Sequence, residues 1–226
     1  MRTLLINITK ILKVYNLLKK FNLILQSAFG LGHGHNLLLY LVKKKSNIKE
    51  YSVFLEIGST REEIYGQGST EIIAKYCEKK KISFFSVDTD QRNVDRLKKK
   101  LSSYKYFKPI CDKGEDFLRK TSEKFDIIYL DAFDIERSVK NKYRDDFYLK
   151  EYGTSITNER SELIHLEIVK NLEKKIYDNS IIVFDDTFIN NNSFLGKGGK
   201  AIPYLLSLGF KIIAKNSNSV ALERCN

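Results

Sequence analysis

Acids end five consecutive apolar runs of this 226-residue chain. Glu56 stands in FLEIGS, Asp88 and Asp90 in FFSVDTD, Asp112 and Glu115 in ICDKGEDFL, Asp131 in IIYLDAFD, and Asp185-Asp186 in SIIVFDDT. One acid at such a place is ordinary helix capping. Five of them put strong negative charge around one crevice. Carboxylates at close range cost energy unless a cation lies between them. Hard oxygen donors of this kind suit Mg²⁺ or Ca²⁺ rather than Zn²⁺, and a cationic substrate could supply part of the compensation.

The turns beside these acids carry the remaining chemistry. Gly58 follows the first run, and Gly66-Gln67-Gly68-Ser69-Thr70 then opens a helical stretch. Glycines permit a tight turn, Ser69 or Thr70 can cap, and a helix N-terminus offers N–H groups to an anion such as a carboxylate. No GK[ST] follows, which excludes a Walker phosphate loop. Asp88, at the end of the second run, is placed to accept from ribose hydroxyls. Asp112, Gly114 and Glu115 open a further helix.

Seven runs read as strands: 52–57, 83–87, 106–110, 127–130, 180–184, 210–214 and 220–223. Most are rich in Ile, Val, Phe and Tyr, as buried parallel strands are. Helical patterns fall between them at 70–80, 91–102, 114–121, 161–175 and 198–208. The expected architecture is one α/β, Rossmann-like, doubly wound domain over residues 51–226, with a mostly parallel seven-stranded sheet. Only Asn216-Ser217-Asn218 separates the last two strands, so the last one is antiparallel. Residues 132–160 form a long polar insertion read as a lid. Residues 1–50 form an N-terminal helical extension, amphipathic over 3–27 and interrupted by glycines at 30, 32 and 34. Ile6, Leu17 and Ile24 spoil its polar face, which favours packing as a lid or a homodimer contact over contact with a membrane surface through residues 1–27.

The net charge of +11 invites a nucleic-acid partner, but it is unevenly spread. Residues 1–50 hold nine Lys/Arg and one acid, which leaves +3 for the rest. No nucleic-acid partner is expected of the body, and the acidic rim suits a small-molecule acceptor. Cys77, Cys111 and Cys225 show no ligand spacing and read as reduced thiols of a cytoplasmic protein. No apolar run approaches the roughly 20 residues that a membrane span requires.

On these motifs the chain resembles the class I S-adenosylmethionine-dependent methyltransferases over about residues 52–224. FLEIGS…GQGST resembles their glycine-rich first motif, FFSVDTD the ribose-binding second, ICDKGEDFL the adenine-contacting third, and the two Asp-ended runs the fourth and fifth. The resemblance implies a cofactor site of Glu56, Gly58, Ser59, Gly68, Ser69, Thr70, Asp88, Asp112, Gly114, Glu115 and Asp131. The branch that fits best is the metal-dependent O-methyltransferases acting on catechols or on macrolide sugars, which GKGGKAIPYLLSLGF also resembles. It implies Mg²⁺ on Asp131, Asp185 and Asp186, with Asp134 or His165 as the base, and transfer to a hydroxyl of a sugar or secondary metabolite. The alternatives are a metal-independent methyltransferase or aminopropyltransferase acting on another acceptor, RNA or protein included, and a non-catalytic binding module of the same fold. The DNA- and RNA-base reading lacks its Pro-Pro-aromatic motif, since Pro109 and Pro203 are the only prolines.

Overall fold

The computed structural model describes residues 33–45, 52–61, 68–136, 142–191 and 193–224. The helix expected over 3–27 and the glycines at 66 and 30–32 lie outside these residues. The sheet strands are β1 (Val53–Ile57), β2 (Ser83–Asp88), β3 (Phe107–Cys111), β4 (Phe125–Leu130), β5 (Ile176–Phe184), β8 (Phe210–Lys215) and β9 (Val220–Arg224). A separate hairpin, β6 (Thr187–Asn190) and β7 (Ser193–Gly196), follows β5. The sheet order is β3-β2-β1-β4-β5-β9-β8. Strands β1 to β5 are mutually parallel, and β9 runs antiparallel to both neighbours. All seven strands read from the sequence are present; the inner ones are apolar runs buried between helices, and the outer β3 and β8 are more exposed.

Helices cover both faces. On one side are α1 (Gly34–Lys44), α2 (Ser69–Lys80) and α3 (Gln91–Lys100). Leu37, Leu38, Val42, Ile73, Cys77 and Leu97 bury there against Phe54, Phe84, Ile127 and Val183. On the other side are α4 (Gly114–Lys120), α6 (Asn158–Leu172) and α7 (Ala201–Ser207), whose Leu118, Ile164, Ile168 and Ile202 meet Leu55, Ile128 and Ile182. Pro109 sits in β3, an outer strand, where a missing N–H leaves no ladder bond unmade. Cys77 and Cys111 are free thiols. Among the described residues no helix is long and apolar enough to cross a membrane.

Three stretches differ from the sequence reading. Within the expected helical extension, the helix starts at Gly34 itself rather than after the glycines, since its Leu and Val residues give it an apolar face for the sheet. The 132–160 insertion holds a helix, α5 (Lys142–Tyr152), with Tyr148 1% exposed and its ring 4.4 Å from that of Phe133. Its weak amphipathicity hid it, because a few aromatics anchor it instead of a continuous stripe. The β6–β7 hairpin is short and exposed, with no apolar run to announce it.

The parallel ladders bring the strand ends level. Gly58 N donates to Val87 O at 2.9 Å, Asp131 N to Ile57 O at 2.8 Å, and Asp185 N to Leu130 O at 3.0 Å. Asp112 N continues the row on Asp88 O at 3.1 Å. Gly58 has φ +95°, and a Cβ there would stand 2.2 Å from the Asp131 carbonyl oxygen. Only glycine turns the chain this close to the neighbouring strand. Gly58→Ala is expected to cost on the order of 3 kcal/mol through left-handed strain and a backbone clash, read as a lowered urea midpoint.

Candidate active site

The strand ends open into a cleft of about 250 Å³ at the carboxyl edge of the sheet. Its lining includes Ser59, Thr60, Ser69, Asp131, Asp134 and the Asp185-Asp186 pair. His33 and His35, at the start of α1, border it too. This is where open α/β sheets hold their ligands.

Each strand-end acid is compensated differently. Glu56 is fully buried, and takes hydrogen bonds from Ser69 Oγ at 2.7 Å, Thr70 Oγ1 at 2.7 Å and Ser86 Oγ at 2.6 Å. The hydroxyls expected to cap α2 therefore serve a buried carboxyl. Gly68 is the N-cap and has no side chain to offer. Thr60 Oγ1 instead accepts from Thr70 N at 3.0 Å. Asp88 accepts from Ser59 N at 3.2 Å, Asn93 Nδ2 at 2.9 Å and Asp90 N at 2.8 Å. Asp112 pairs with Lys120 at 2.6 Å. Gly114 lets α4 start against the sheet, since a Cβ would meet Ile57 Cγ2 at 2.4 Å. Glu115, in the first turn of α4, has its carboxyl raised by burial.

Arg61, which the motifs leave without a role, lies over this end of the sheet. Its Nε is 3.7 Å from Asp88 and its Nη1 3.7 Å from Asp134. Nη1 also donates to Tyr148 Oη at 2.9 Å, so the guanidinium ties α5 to β2. Burial works against its charge, but Tyr148, Asp88 and Asp134 hold it protonated. Asp134 is further engaged by Arg144 at 3.2 Å.

The three acids expected to hold Mg²⁺ all line the cleft, but a lysine already stands between two of them. Lys197 Nζ pairs with Asp131 Oδ1 and lies 3.0 Å from Asp186 Oδ2. Its side chain is 2% exposed. Burial disfavours the ammonium, yet Asp131, Asp186, Asp185 and Asp134 together push it well up, so it remains charged. Burial, with the charges of Asp185 and Asp186, raises Asp131 against the pull of Lys197. Asp185 is spoken for on both oxygens: Gly34 N donates to Oδ1 at 3.1 Å and Tyr129 Oη to Oδ2 at 2.5 Å. The donor set therefore does not fit a divalent ion. Among the described residues no group of three or more His, Cys, Asp or Glu forms a metal centre.

His165 is a second correction. It is fully buried on the inner face of α6, with its ring 6.5 Å from that of Phe184. Nδ1 lies 2.7 Å from Ser161 O. Burial, then Lys197, pulls its pKa down to about 3, so the ring is neutral. It packs behind the cleft and does not border it, as its position on an apolar helix face dictates. Asp134 does reach the rim. The sequence reading missed Lys197, Tyr129 and Tyr148. Lys197 lies inside the quoted GKGGK, but its partners are 66 and 11 residues away, and only the hairpin brings them together.

The sheet order, with its antiparallel last strand, is the Rossmann-like methyltransferase fold, and solved structures share it. TrmN from Thermus thermophilus matches with a TM-score of 0.52 at 10% identity, over 84% of this chain and 49% of that one. The chain thus spans about half the length of TrmN. A ribosomal protein L11 methylase from Lactobacillus delbrueckii subsp. bulgaricus matches at 0.52 and 12% identity, over 85% and 79%. The N-methyltransferase NodS from Bradyrhizobium japonicum, in complex with S-adenosyl-L-homocysteine, matches at 0.50 and 14%, over 85% and 86%. These likenesses are of fold. No protein-family model and no curated protein matches the chain.

The buried hydroxyl knot makes a pH prediction. Burial lifts the Glu56 carboxyl from its ordinary 4.5 to about 7, against the pull of its three hydroxyl donors. The folded state thus holds a proton that the unfolded chain releases between those values. Stability from this proton is full below pH 4.5 and is lost as pH rises through about 7. The loss is on the order of 3 kcal/mol. Glu56→Gln should flatten this fall when urea midpoints are compared at pH 5 and pH 8.

Proposed function

We propose that the chain is an S-adenosylmethionine-dependent methyltransferase acting on a hydroxyl of a small molecule. One observation carries this reading: at the carboxyl edge of a methyltransferase-type sheet, a glycine turn, an amide-held Asp88 and an acidic cleft meet at one level. The donor set suits the cofactor. Ser59, Thr60 and Ser69 supply hydroxyls to the cleft, and its acids suit a sulfonium and an α-ammonium group. When bound, the cofactor supplies an electrophilic methyl group.

The chain's own residues then do the following. Asp88 accepts from the ribose hydroxyls after Arg61 gives up its contact there. Gly58 and Ser59 shape the turn beneath the cofactor, and Asp112, Gly114 and Glu115 border its adenine end. Arg144 and Tyr148 form the acceptor wall of the cleft that His33 and His35 also line. Asp134 takes the acceptor proton: it lines the cleft and carries neither the Lys197 ion pairs of Asp131 and Asp186 nor the Tyr129 bond of Asp185. The domain runs from residue 51 to 226, and the free thiols suit a cytoplasmic setting. No step passes through a metal.

Calorimetric titration with S-adenosylmethionine tests the reading. Binding in the micromolar range is expected, and its absence sinks the proposal. Asp88→Ala should weaken binding by tenfold or more, about 1.4 kcal/mol. Asp134→Asn should leave cofactor affinity intact while lowering kcat by roughly 10²-fold, the low end of general-base effects.

A further inference from the structure

We infer that Lys197 is a built-in counter-ion that holds Asp131 and Asp186 in place and keeps divalent cations out of the carboxylate site. Asp131 and Asp186, on two adjacent strand ends, put their carboxylates on one shared face, an oxygen-rich pair that can collect a hard cation. Here a covalently attached ammonium reaches the shared face first. It is no surface lysine that happens to bend inward: its side chain is 2% exposed, and it contacts acids from both strand ends.

The backbone fixes this arrangement. Directly after β5 the chain leaves as the β6–β7 hairpin and returns at Gly196, with φ +76°. A Cβ at Gly196 would stand 2.1 Å from Asp186 O, so the return strand crosses in contact with the Asp-Asp turn. Lys197 N donates to Asp186 O at 3.1 Å, and Gly198 N to Thr187 Oγ1 at 2.9 Å. Asp186 itself has φ +41°. Both ends of the loop are thereby held, and from there the Lys197 side chain reaches Asp131 and Asp186. A further buried donor atom lies at the same cleft. His35 borders the same cleft at 1% exposure, and its Nε2 has no hydrogen-bond partner among the described residues. Without the ammonium, the Asp131 and Asp186 carboxylates would face each other with no cation between them.

The inference concerns the carboxylate site alone, and it holds whether or not the cleft transfers methyl groups. The cofactor titration reads the methyltransferase proposal, and a Mn²⁺ titration reads this one. Electron paramagnetic resonance of free Mn²⁺ is followed as wild-type protein is added, in the absence of cofactor. No binding is expected at the wild type up to about 1 mM, the weak limit of oxygen-ligand sites. Lys197→Met, which keeps the volume and removes the charge, should bind Mn²⁺ at least tenfold more tightly than wild type. Its melting temperature should rise with Mn²⁺, whereas that of wild type should not. Lys197→Arg should remain silent to the metal. Tight Mn²⁺ binding by the wild type overturns the inference, as does a folded Lys197→Met that gains none. Should Lys197→Met fail to fold, the wild-type titration decides alone.

Discussion

The controlling constraint is the repulsion among carboxylates gathered at one edge of a sheet. A parallel sheet in strict register levels its strand ends, so side chains that are far apart in sequence arrive side by side. The molecule answers each acid with a different donor. Glu56 is met by three hydroxyls, Asp88 by backbone and side-chain amides, Asp112 by a surface lysine, Asp185 by a phenol and a helix N–H, and Asp131 with Asp186 by one buried ammonium. Those choices divide the edge into two regions. Around β1 and β2 the hydrogen bonds to the acids come from neutral groups, with Arg61 beside Asp88. Around β4 and β5 the Asp131 and Asp186 charges are balanced by an ion, and Asp185 by neutral donors.

This division sets the chemistry that each region can support. Neutral donors hold a carboxylate in place without cancelling its charge, so Asp88 can still attract hydroxyl groups. An ion pair removed from water is rigid and costly to break. Asp131 and Asp186 therefore act as fixed walls, whereas Asp134 and Arg61, paired at 3.7 Å, can exchange partners. Arg61 links the two regions, since its guanidinium touches both Asp88 and Asp134. A ligand that displaces it from one acid alters the surroundings of the other.

The sheet was legible because buried parallel strands are apolar throughout, and apolar runs are local signals. The acids were legible because each ends its own run. What answers them was not. Tyr129 alternates with core residues in IIYL and looks like any other buried aromatic. Lys197 is one lysine among many, and its role depends on a hairpin with no hydrophobic pattern. The α1 helix was masked by the glycine at its first position, which is there because Gly34 must approach Asp185, with a Cβ meeting Oδ1 at 3.0 Å. The α5 helix was masked by polar residues around Tyr148. In each case the deciding partner lies outside the window that a sequence pattern can span.

The Gly34–Asp185 hydrogen bond joins residues 151 positions apart. It ties the earliest described helix to the end of β5, a strand reached only late in the chain. During synthesis the first helix must therefore wait for most of the protein before its N-terminus finds an acceptor. Lys197 emerges later still, and until then Asp131 and Asp186 have no ammonium to face. The edge of the sheet that carries the cleft thus closes late, and a nascent chain stalled before residue 197 would present its acids to solvent with α1 to α6 already synthesised.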